Sequence, residues 1–586
     1  MAEWKLLRIG ADYEALAKEY GLDPVVMRVM RNRGMESRED ITAFLHGDVA
    51  QFDRTEGFAD MEEAVSLLQQ IRAQDKKVRV IGDYDIDGIC ATAILVKGLK
   101  AYGIRTDYAI PNRMEDGYGL SVSLIERAAA DGVEAVVTCD NGISAHEAIR
   151  AAGAKGILVI VTDHHEIMRD EVNPEAELLP PAEAVINPKR KANTLAFEEF
   201  CGAYVAYKLV SRLLEFGGEA FEDKRFRDEL LSLAAFATVG DIMPLQKENR
   251  TLVKYGLDVL GRSGNPGMQA LIAQNELSAK EMKAHHVGFV LGPCINATGR
   301  LDTAERALKL LLTEDSEEAR EIATELKRMN EVRKELTLDG EETARRIISE
   351  QGMENDRVLV VYLPDAHESV AGIIAGRLKD RFYRPTLVFT PAKEGIKGSG
   401  RSVAEYDMYA HLCEHKVLFT KFGGHKMAAG ISMAAEALPE LRKKLNASAE
   451  AEALEFRQVI NIDVDMPPAY VTKKLIEDLE CLEPYGNGNP KPVFAVRNLM
   501  FTGERLFGAD GRFASYRVTD DQNRKFELKY FGDVQALHQY ADEKYGPGTA
   551  EGMYRNRGFM LSVIYQPELN TYRGVTSIQY RLLYYK

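Results

Sequence analysis

Between residues 58 and 188 the chain repeats one unit: a short, largely apolar run, a knot of polar residues, then a helix-length stretch. The runs are Val78–Ile81, Thr106–Ile110, Ala135–Thr138, Ile157–Val161 and Ala184–Ile186. Helices are predicted over Met61–Arg72, Gly88–Gly98, Ser121–Ala130 and Ala145–Ala152. Strands that are apolar throughout, instead of at every second residue, are covered on both faces, and strands alternating with helices run parallel. The expected fold class is therefore α/β, built on a parallel sheet.

Parallel strands deliver their carboxyl ends to one edge, where open α/β sheets place their ligands. After Ile81 comes Gly82, then Asp83-Tyr-Asp-Ile-Asp87; after Ile110 comes Pro111-Asn112-Arg113; after Thr138 comes Cys139-Asp140-Asn141-Gly142. After Val161 comes Thr162-Asp163-His164-His165-Glu166, and after Ile186 comes Asn187-Pro188-Lys189. Alone, the triple aspartate reads equally well as an acidic turn or as a metal loop, since alternate residues of extended backbone share one side. With Asp140 and Asp163-His164-His165 at sister strand ends, metal ligation is the preferred reading. Asp241 ends the apolar helix Leu231–Gly240; it is either a cap or a further ligand, and the second reading fits a metal centre.

The chain has 586 residues, too many for one hydrophobic core. Its division is read as a helical cap over 1–57, a first α/β domain over 58–302, a connecting helix over 303–352, a second α/β domain over 353–456 and a β-barrel over 457–586. A net charge of -15 argues against a generally sticky nucleic-acid binder but leaves room for a local basic channel. Six scattered cysteines without a CxxC pair argue for reduced thiols in a cytoplasm and against a cysteine zinc site. The first residues form no signal segment, and no apolar run reaches membrane-spanning length, so no membrane association is expected.

Asn296-Ala-Thr-Gly-Arg300-Leu-Asp302 reads as a polar loop. Thr303 to about Glu350 reads as one long helix with a seam at Ile322, Leu326, Met329, Val332 and Leu336. Two glycine-rich loops are expected in the second α/β domain, Lys397–Ser402 and Lys421–Gly430. Glycine-rich turns mostly just turn, but both carry donors (Arg401, Ser402, His425), which suits a phosphate grip. The tail offers strands over Val459–Val464, Phe513–Val518, Lys525–Phe531, Phe559–Tyr565 and Ile578–Tyr584. Their aromatic and basic residues fit an oligonucleotide-binding barrel, a plain structural β domain being the alternative.

Asp83-Tyr-Asp-Ile-Asp-Gly88, Asp140-Asn-Gly142, Asp163-His-His165, Val239-Gly-Asp241 and Gly423-Gly-His425 together resemble the DHH phosphoesterase superfamily. Within it the likeness is to the RecJ family, bacterial single-strand-specific 5′ exonucleases, and it covers nearly the whole chain. The resemblance implies a DHH domain, a long connecting helix, a DHH-associated domain and a C-terminal OB-fold barrel. It implies a two-metal site for Mn²⁺ or Mg²⁺ held by Asp85, Asp87, Asp140, His164 and Asp241, with Asp83 an additional candidate. Asp140 would bridge, and His164 and His165 would complete the catalytic set, His165 contacting the scissile phosphate or assisting proton transfer. Arg113, Asn187, Arg300, Arg401, Ser402 and His425 would hold substrate phosphates. One departure stands out: Ile81 occupies a position where many superfamily members carry a histidine ligand.

The activity so implied is 5′→3′ degradation of single-stranded DNA to 5′-mononucleotides in recombination and repair, in the cytoplasm, by a monomer. Implied partners are single-stranded DNA, a single-strand-binding protein and a RecQ- or RecBCD-type helicase. Two alternatives share the motifs: hydrolysis of short oligonucleotides or cyclic dinucleotides, and a non-catalytic replication scaffold. The barrel argues against the first, the intact acids and histidines against the second.

Overall fold

The structure is a computed structural model that describes residues 2–52, 55–111, 119–170, 173, 175–217, 222–553, 558–572 and 574–586. The chain forms two compact units. One holds residues 48–457 with 486–488; the other holds 1–47, 458–485 and 489–586.

In the larger unit five parallel strands lie in the order Arg105–Ala109, Lys77–Ile81, Ala135–Cys139, Leu158–Thr162, Ala184–Ile186. The sequence order reverses beside Lys77–Ile81, so the loops after Ile81 and Cys139 leave on either side of a topological switch point. The helix Ile86–Ala101 is buried on almost every side, as its near-continuous apolar sequence requires. It packs with Gly202–Leu214 and Lys224–Gly240 on one face of the sheet. Val122–Ala130 and His146–Ala154 cover the other.

The expected single long helix is two. Glu305–Leu312 stops at Thr313, and Asp315 caps a new 35-residue helix, Ser316–Glu350, its Oδ1 accepting from the amides of Glu317 (2.7 Å) and Glu318 (3.4 Å). At 1.5 Å per residue this helix is roughly 52 Å long. Its buried stripe contains Leu326 and Met329 as expected, but continues through Asn330, Thr337, Gly340 and Ala344, while Val332 is exposed. Small residues set the stripe because neighbouring helices approach closely there, and apolar periodicity alone overlooks them.

The second α/β half is a mixed sheet in the order Phe419–His425, Ala428–Met433, Ile396–Arg401, Thr386–Pro391, Leu359–Tyr362. Both stretches expected as glycine-rich loops are strands of this sheet. The glycines serve packing: a Cβ at Gly398 would stand 2.5 Å from the Phe389 ring.

In the smaller unit Phe494–Phe507, Phe513–Thr519, Lys525–Tyr530, Val575–Tyr585 and Phe559–Tyr572 form a closed barrel, because Phe494–Phe507 pairs with both Phe513–Thr519 and Phe559–Tyr572. Phe494–Phe507 escapes sequence reading for a clear reason. Its register shifts between Val496 and Leu499 and again between Phe501 and Gly503, which breaks the period of two.

The amino-terminal helices, expected as a cap on the domain that follows them, instead share the barrel's core. Glu3–Leu6 pairs parallel with Val459–Ile462. Val26, Met27, Val29 and Met30 of the helix Pro24–Asn32 are buried in one cluster with Leu475, Ile476 and Leu479. A chain ended at residue 457 is therefore expected to expose these four side chains and aggregate, whereas a chain lacking residues 1–47 as well remains dispersed. Size-exclusion chromatography with a hydrophobic dye checks this; a monodisperse, non-binding single truncation would refute it.

Candidate metal centre

The acidic loop after Ile81 is held from behind. Asp85 caps the helix Ile86–Ala101, its Oδ1 accepting from the amides of Asp87 (3.0 Å) and Gly88 (3.1 Å). The Ile86 amide donates to Asn296 Oδ1 at 2.8 Å. Asn296 and Arg300 do not lie in a loop, as expected, but in the helix Gly292–Leu301. Glycine permits its approach, since a Cβ at Gly299 would lie 2.5 Å from the Tyr84 carbonyl oxygen. Arg300 Nη1 donates to the Ser369 carbonyl at 2.9 Å, tying this buttress to the second α/β half.

Asp140 sits in the left-handed region (φ 59°), an uncommon conformation for a non-glycine residue and a feature of functional sites. Opposite it the helix Gly202–Leu214 begins. The amides of Gly202 and Ala203 donate to the two carboxylate oxygens of Asp87 at 2.6 and 2.8 Å, so the positive end of a helix holds this acid. Only glycine fits the first position: a Cβ at Gly202 would come within 2.9 Å of Asp140 Cα. Neither Gly202 nor Ala203 carries a motif that sequence reading could find.

His164 Nε2 points at three acids: Asp140 Oδ1 at 3.1 Å, Asp87 Oδ2 at 3.5 Å and Asp241 Oδ2 at 3.8 Å. Burial lowers the pKa of this imidazole, which favours the neutral, ligating form. Burial raises the acids: Asp85 upward with help from Asp87, Asp140 well above the carboxylate range with help from Asp87, Asp85 and Asp83, and Asp241 to about 8 with help from Asp87 and Asp85. Donor atoms of Asp87, His164 and Asp241 fall within 4.8 Å of one another, as do those of Asp83, Asp85 and Asp140, and those of Asp140, His164 and His165. Asp140 thus belongs to two of these clusters, one with Asp83 and Asp85 and one with His164 and His165. Mutually repelling buried carboxylates around one neutral imidazole form a donor set that suits small divalent cations. Asp83 sits in one cluster as a full member, while Ile81 is buried in the sheet and its side chain has no ligating atom.

His165 is oriented by its neighbour. Its Nδ1 lies 2.7 Å from Asp163 Oδ1, which also accepts the amides of His164 (2.7 Å) and His165 (3.1 Å). Asp163 Oδ2 accepts the Ile143 amide at 2.9 Å. Burial would raise Asp163, but His165 and these amides hold it down at about 2. Burial would likewise lower His165, yet Asp163 raises it to about 9. The pair is therefore an ion pair at neutral pH. Asn187, expected at phosphate, is fully buried; its amide donates to the His165 carbonyl at 3.0 Å and its oxygen accepts from Lys189. It shapes the histidine turn.

Arg401 ends the strand Ile396–Arg401 and pairs in register with Ala428, beside the hairpin that carries exposed His425. Ser402 is turned inward, its hydroxyl donating to the Tyr406 carbonyl at 2.8 Å. Arg113 lies outside the described residues. Sequence reading also missed Ile242, which follows Asp241 with φ 59° and 70% exposure. A β-branched residue in that conformation is strained. Its carbonyl is held by Asn487 Nδ2 at 2.8 Å.

Comparison with known proteins agrees with this architecture. Family models match for the DHH family N-terminal domain over residues 77–238, the DHHA1 domain over 355–451 and the RecJ OB domain over 462–584. The chain is 33% identical over 583 residues to the single-stranded-DNA-specific exonuclease RecJ of Dickeya dadantii, covering 95% of each protein. It is 33% identical over 526 residues to the protein of that name from Bacillus subtilis, covering 89% of this chain but 65% of that protein, just under two thirds of its length. The crystal structure of Thermus thermophilus RecJ with Mn²⁺ superposes with a TM-score of 0.81 at 27% identity, covering 100% of this chain and 79% of that one.

Proposed function

The chain belongs to the RecJ family of single-stranded-DNA-specific exonucleases, and on that premise we propose that it hydrolyses single-stranded DNA from the 5′ end to 5′-mononucleotides. The observation that carries this reading is the convergence of Asp87, Asp140 and Asp241 on His164 Nε2, with Asp83 and Asp85 grouped with Asp140. Asp83, Asp85 and Asp140 would hold one Mn²⁺ or Mg²⁺ ion and Asp87, His164 and Asp241 a second, with Asp140, 3.1 Å from His164 Nε2, close enough to contribute to either. When bound, such a pair neutralises phosphate charge and lowers the pKa of a water molecule.

The chain's own residues supply the rest. His165, kept protonated by Asp163, presents an imidazolium beside the acids, where it donates to a phosphate oxygen or to the departing oxygen. Arg300, Arg401 and His425 are the proposed phosphate donors, the last two at the 5′ terminus; Arg113 is a further candidate. We further propose a role in recombination and repair, as a cytoplasmic monomer acting with a single-strand-binding protein and a RecQ- or RecBCD-type helicase. The domain limits 58–302, 303–352, 353–456 and 457–586 are part of the same proposal.

The purified protein tests the reading on 5′- and 3′-labelled single strands, a blunt duplex and a cyclic dinucleotide, each with Mn²⁺, Mg²⁺ or EDTA. Immediate release of labelled mononucleotide from the 5′ label alone, abolished by EDTA, is expected. Absence of metal-dependent cleavage on every substrate would sink it.

The barrel supplies a holding surface. Phe507, Phe513 and Phe531 form a mutual cluster with centroids 5.3–5.8 Å apart. Lys529, Arg512 and Arg581 lie over their rings at 5.5, 5.0 and 5.4 Å. Stacked bases and screened phosphates need this pairing of π-face and cation, and one base stack is worth about 1–3 kcal/mol. Phe531→Ala is expected to weaken binding of long single strands by about tenfold while sparing cleavage of the shortest ones. Fluorescence anisotropy checks this, and an unchanged Kd would rule the surface out.

A further inference from the structure

Away from the strand-end centre, the second α/β half holds another group of donors. His411 lies in the helix Met408–Cys413, and Glu414 is that helix's C-cap. Glu452 is the C-cap of the helix Leu438–Ala451. One donor atom from each of the three falls within 4.8 Å of the others. Residues three apart on a helical turn share a face, so His411 and Glu414 meet Glu452 together.

Three features of this group are unfavourable without a cation. His411 is only 6% exposed, yet its Nδ1 has no hydrogen-bond partner. Glu452 Oε1 lies 3.7 Å from that nitrogen, beyond hydrogen-bond reach. Second, both carboxylates stand at helix C-termini, the negative ends, where cations are favoured and acids are not. Third, among the described residues no lysine or arginine pairs with either glutamate. Stacking fixes the plane of the imidazole. The Tyr406 ring lies flat against it, centroids 4.1 Å apart and planes 10° from parallel. Ser448 Oγ donates to Glu414 Oε2 at 3.3 Å, steadying the second donor.

We propose that His411, Glu414 and Glu452 form a second metal site, separate from the strand-end centre, that takes a zinc-class divalent ion. One imidazole nitrogen and two carboxylates suit Zn²⁺, with water completing the tetrahedron, better than Mg²⁺ or Ca²⁺, which prefer oxygen alone. The ion would clip the ends of two helices that sequence separates by about forty residues, acting on the stability of this domain and not on the chemistry.

The test uses the full-length chain stripped with chelator and dialysed against Zn²⁺, with bound metal counted by elemental analysis. The native protein is expected to hold one equivalent more than His411→Gln. Glu414→Gln and Glu452→Gln, which alter exposed side chains, are expected to weaken that equivalent at least tenfold, so the inference stays testable if the buried histidine variant misfolds. His415→Gln, one turn on from His411, is the control and keeps every equivalent. After chelation and reloading with Mn²⁺, the two glutamate variants cleave DNA at the native rate. Zinc-edge anomalous scattering from a soaked crystal would show a peak between the three side chains. Equal zinc content and affinity in the native chain and both glutamate variants would overturn the site, as would anomalous zinc at the strand ends only.

Discussion

Asp140→Asn is expected to lower Mn²⁺-dependent cleavage by at least about a thousandfold while the metal-free protein melts higher than the native one. The two effects come from the same crowding. Asp140 is grouped with Asp83 and Asp85 and lies 3.1 Å from His164 Nε2, so both proposed ions lose a donor. Asparagine tolerates the left-handed backbone that Asp140 adopts, so the loop keeps its shape. Without metal, burial and four neighbouring acids push Asp140 well above the usual carboxylate range. A carboxyl whose folded pKa is raised binds its proton more tightly in the native state. Stability therefore falls as pH rises from its unfolded value through the raised one. For Asp241 that window runs from 3.8 to about 8. In EDTA the native protein should lose stability across this window, and Asp140→Asn should lose less. Mn²⁺ should reverse the sign for the native chain alone, because cations bind the deprotonated acids. Thermal melts at pH 5, 7 and 9, with EDTA or Mn²⁺, decide the matter. A variant destabilised in EDTA, yet stabilised by Mn²⁺ as strongly as the native chain, would contradict the assignment.

The cluster of acids and histidines was legible in sequence because its members are local punctuation. All but Asp241, which caps the helix Lys224–Gly240, stand within a few residues of the end of a short apolar strand, and the parallel fold does the gathering. What holds the ligands was not legible. The amides of Gly202 and Ala203 that cradle Asp87 come from more than a hundred residues away and have no side-chain signature. Asn296 and Gly299 are polar and small, which reads as a loop until the contact with the acidic loop explains the need for close approach. The same holds for Gly398, whose glycine-rich setting suggests a flexible phosphate loop while its role is to admit Phe389. Ser402 and Asn187 illustrate a different limit. Their types suit phosphate binding, yet the fold spends their hydrogen bonds on Tyr406 and on the turn that carries His165. Membership in a motif does not decide which way a side chain turns.

Asp163→Asn carries the second large effect, because Asp163 sets the charge of His165 without touching the other acids. Cleavage is expected to fall by about 10²–10⁴-fold, the range for losing a positioned proton donor. With Asp163 intact, His165 is held protonated up to about 9; without it, burial is the larger remaining influence and lowers the imidazole. A reaction that needs the imidazolium should then lose its activity at lower pH, so the alkaline limb of the kcat profile moves down while the acid limb stays. Movement of the acid limb instead would make His165 a base and refute the donor role. Histidine substitution supplies the matching control: His165→Ala should cost about as much as Asp163→Asn, and the double variant little more, since the two act as one unit. Stability separates this from simple misfolding. The Asp163 carboxylate accepts amides on both oxygens, and an asparagine NH₂ facing one of them leaves a buried donor unsatisfied, which costs about 1–3 kcal/mol. Because folding depresses the Asp163 pKa to about 2, its contribution is complete above the unfolded value of 3.8 and fades only as pH falls through 2. The raised His165 works in the opposite direction: its share is complete below 6.5 and is lost as pH rises through about 9. The native chain should therefore exceed Asp163→Asn in stability by a margin that is widest between about pH 4 and 6.5 and narrows on either side. A margin that does not change with pH would show that the aspartate is packed there for its shape and not for its charge.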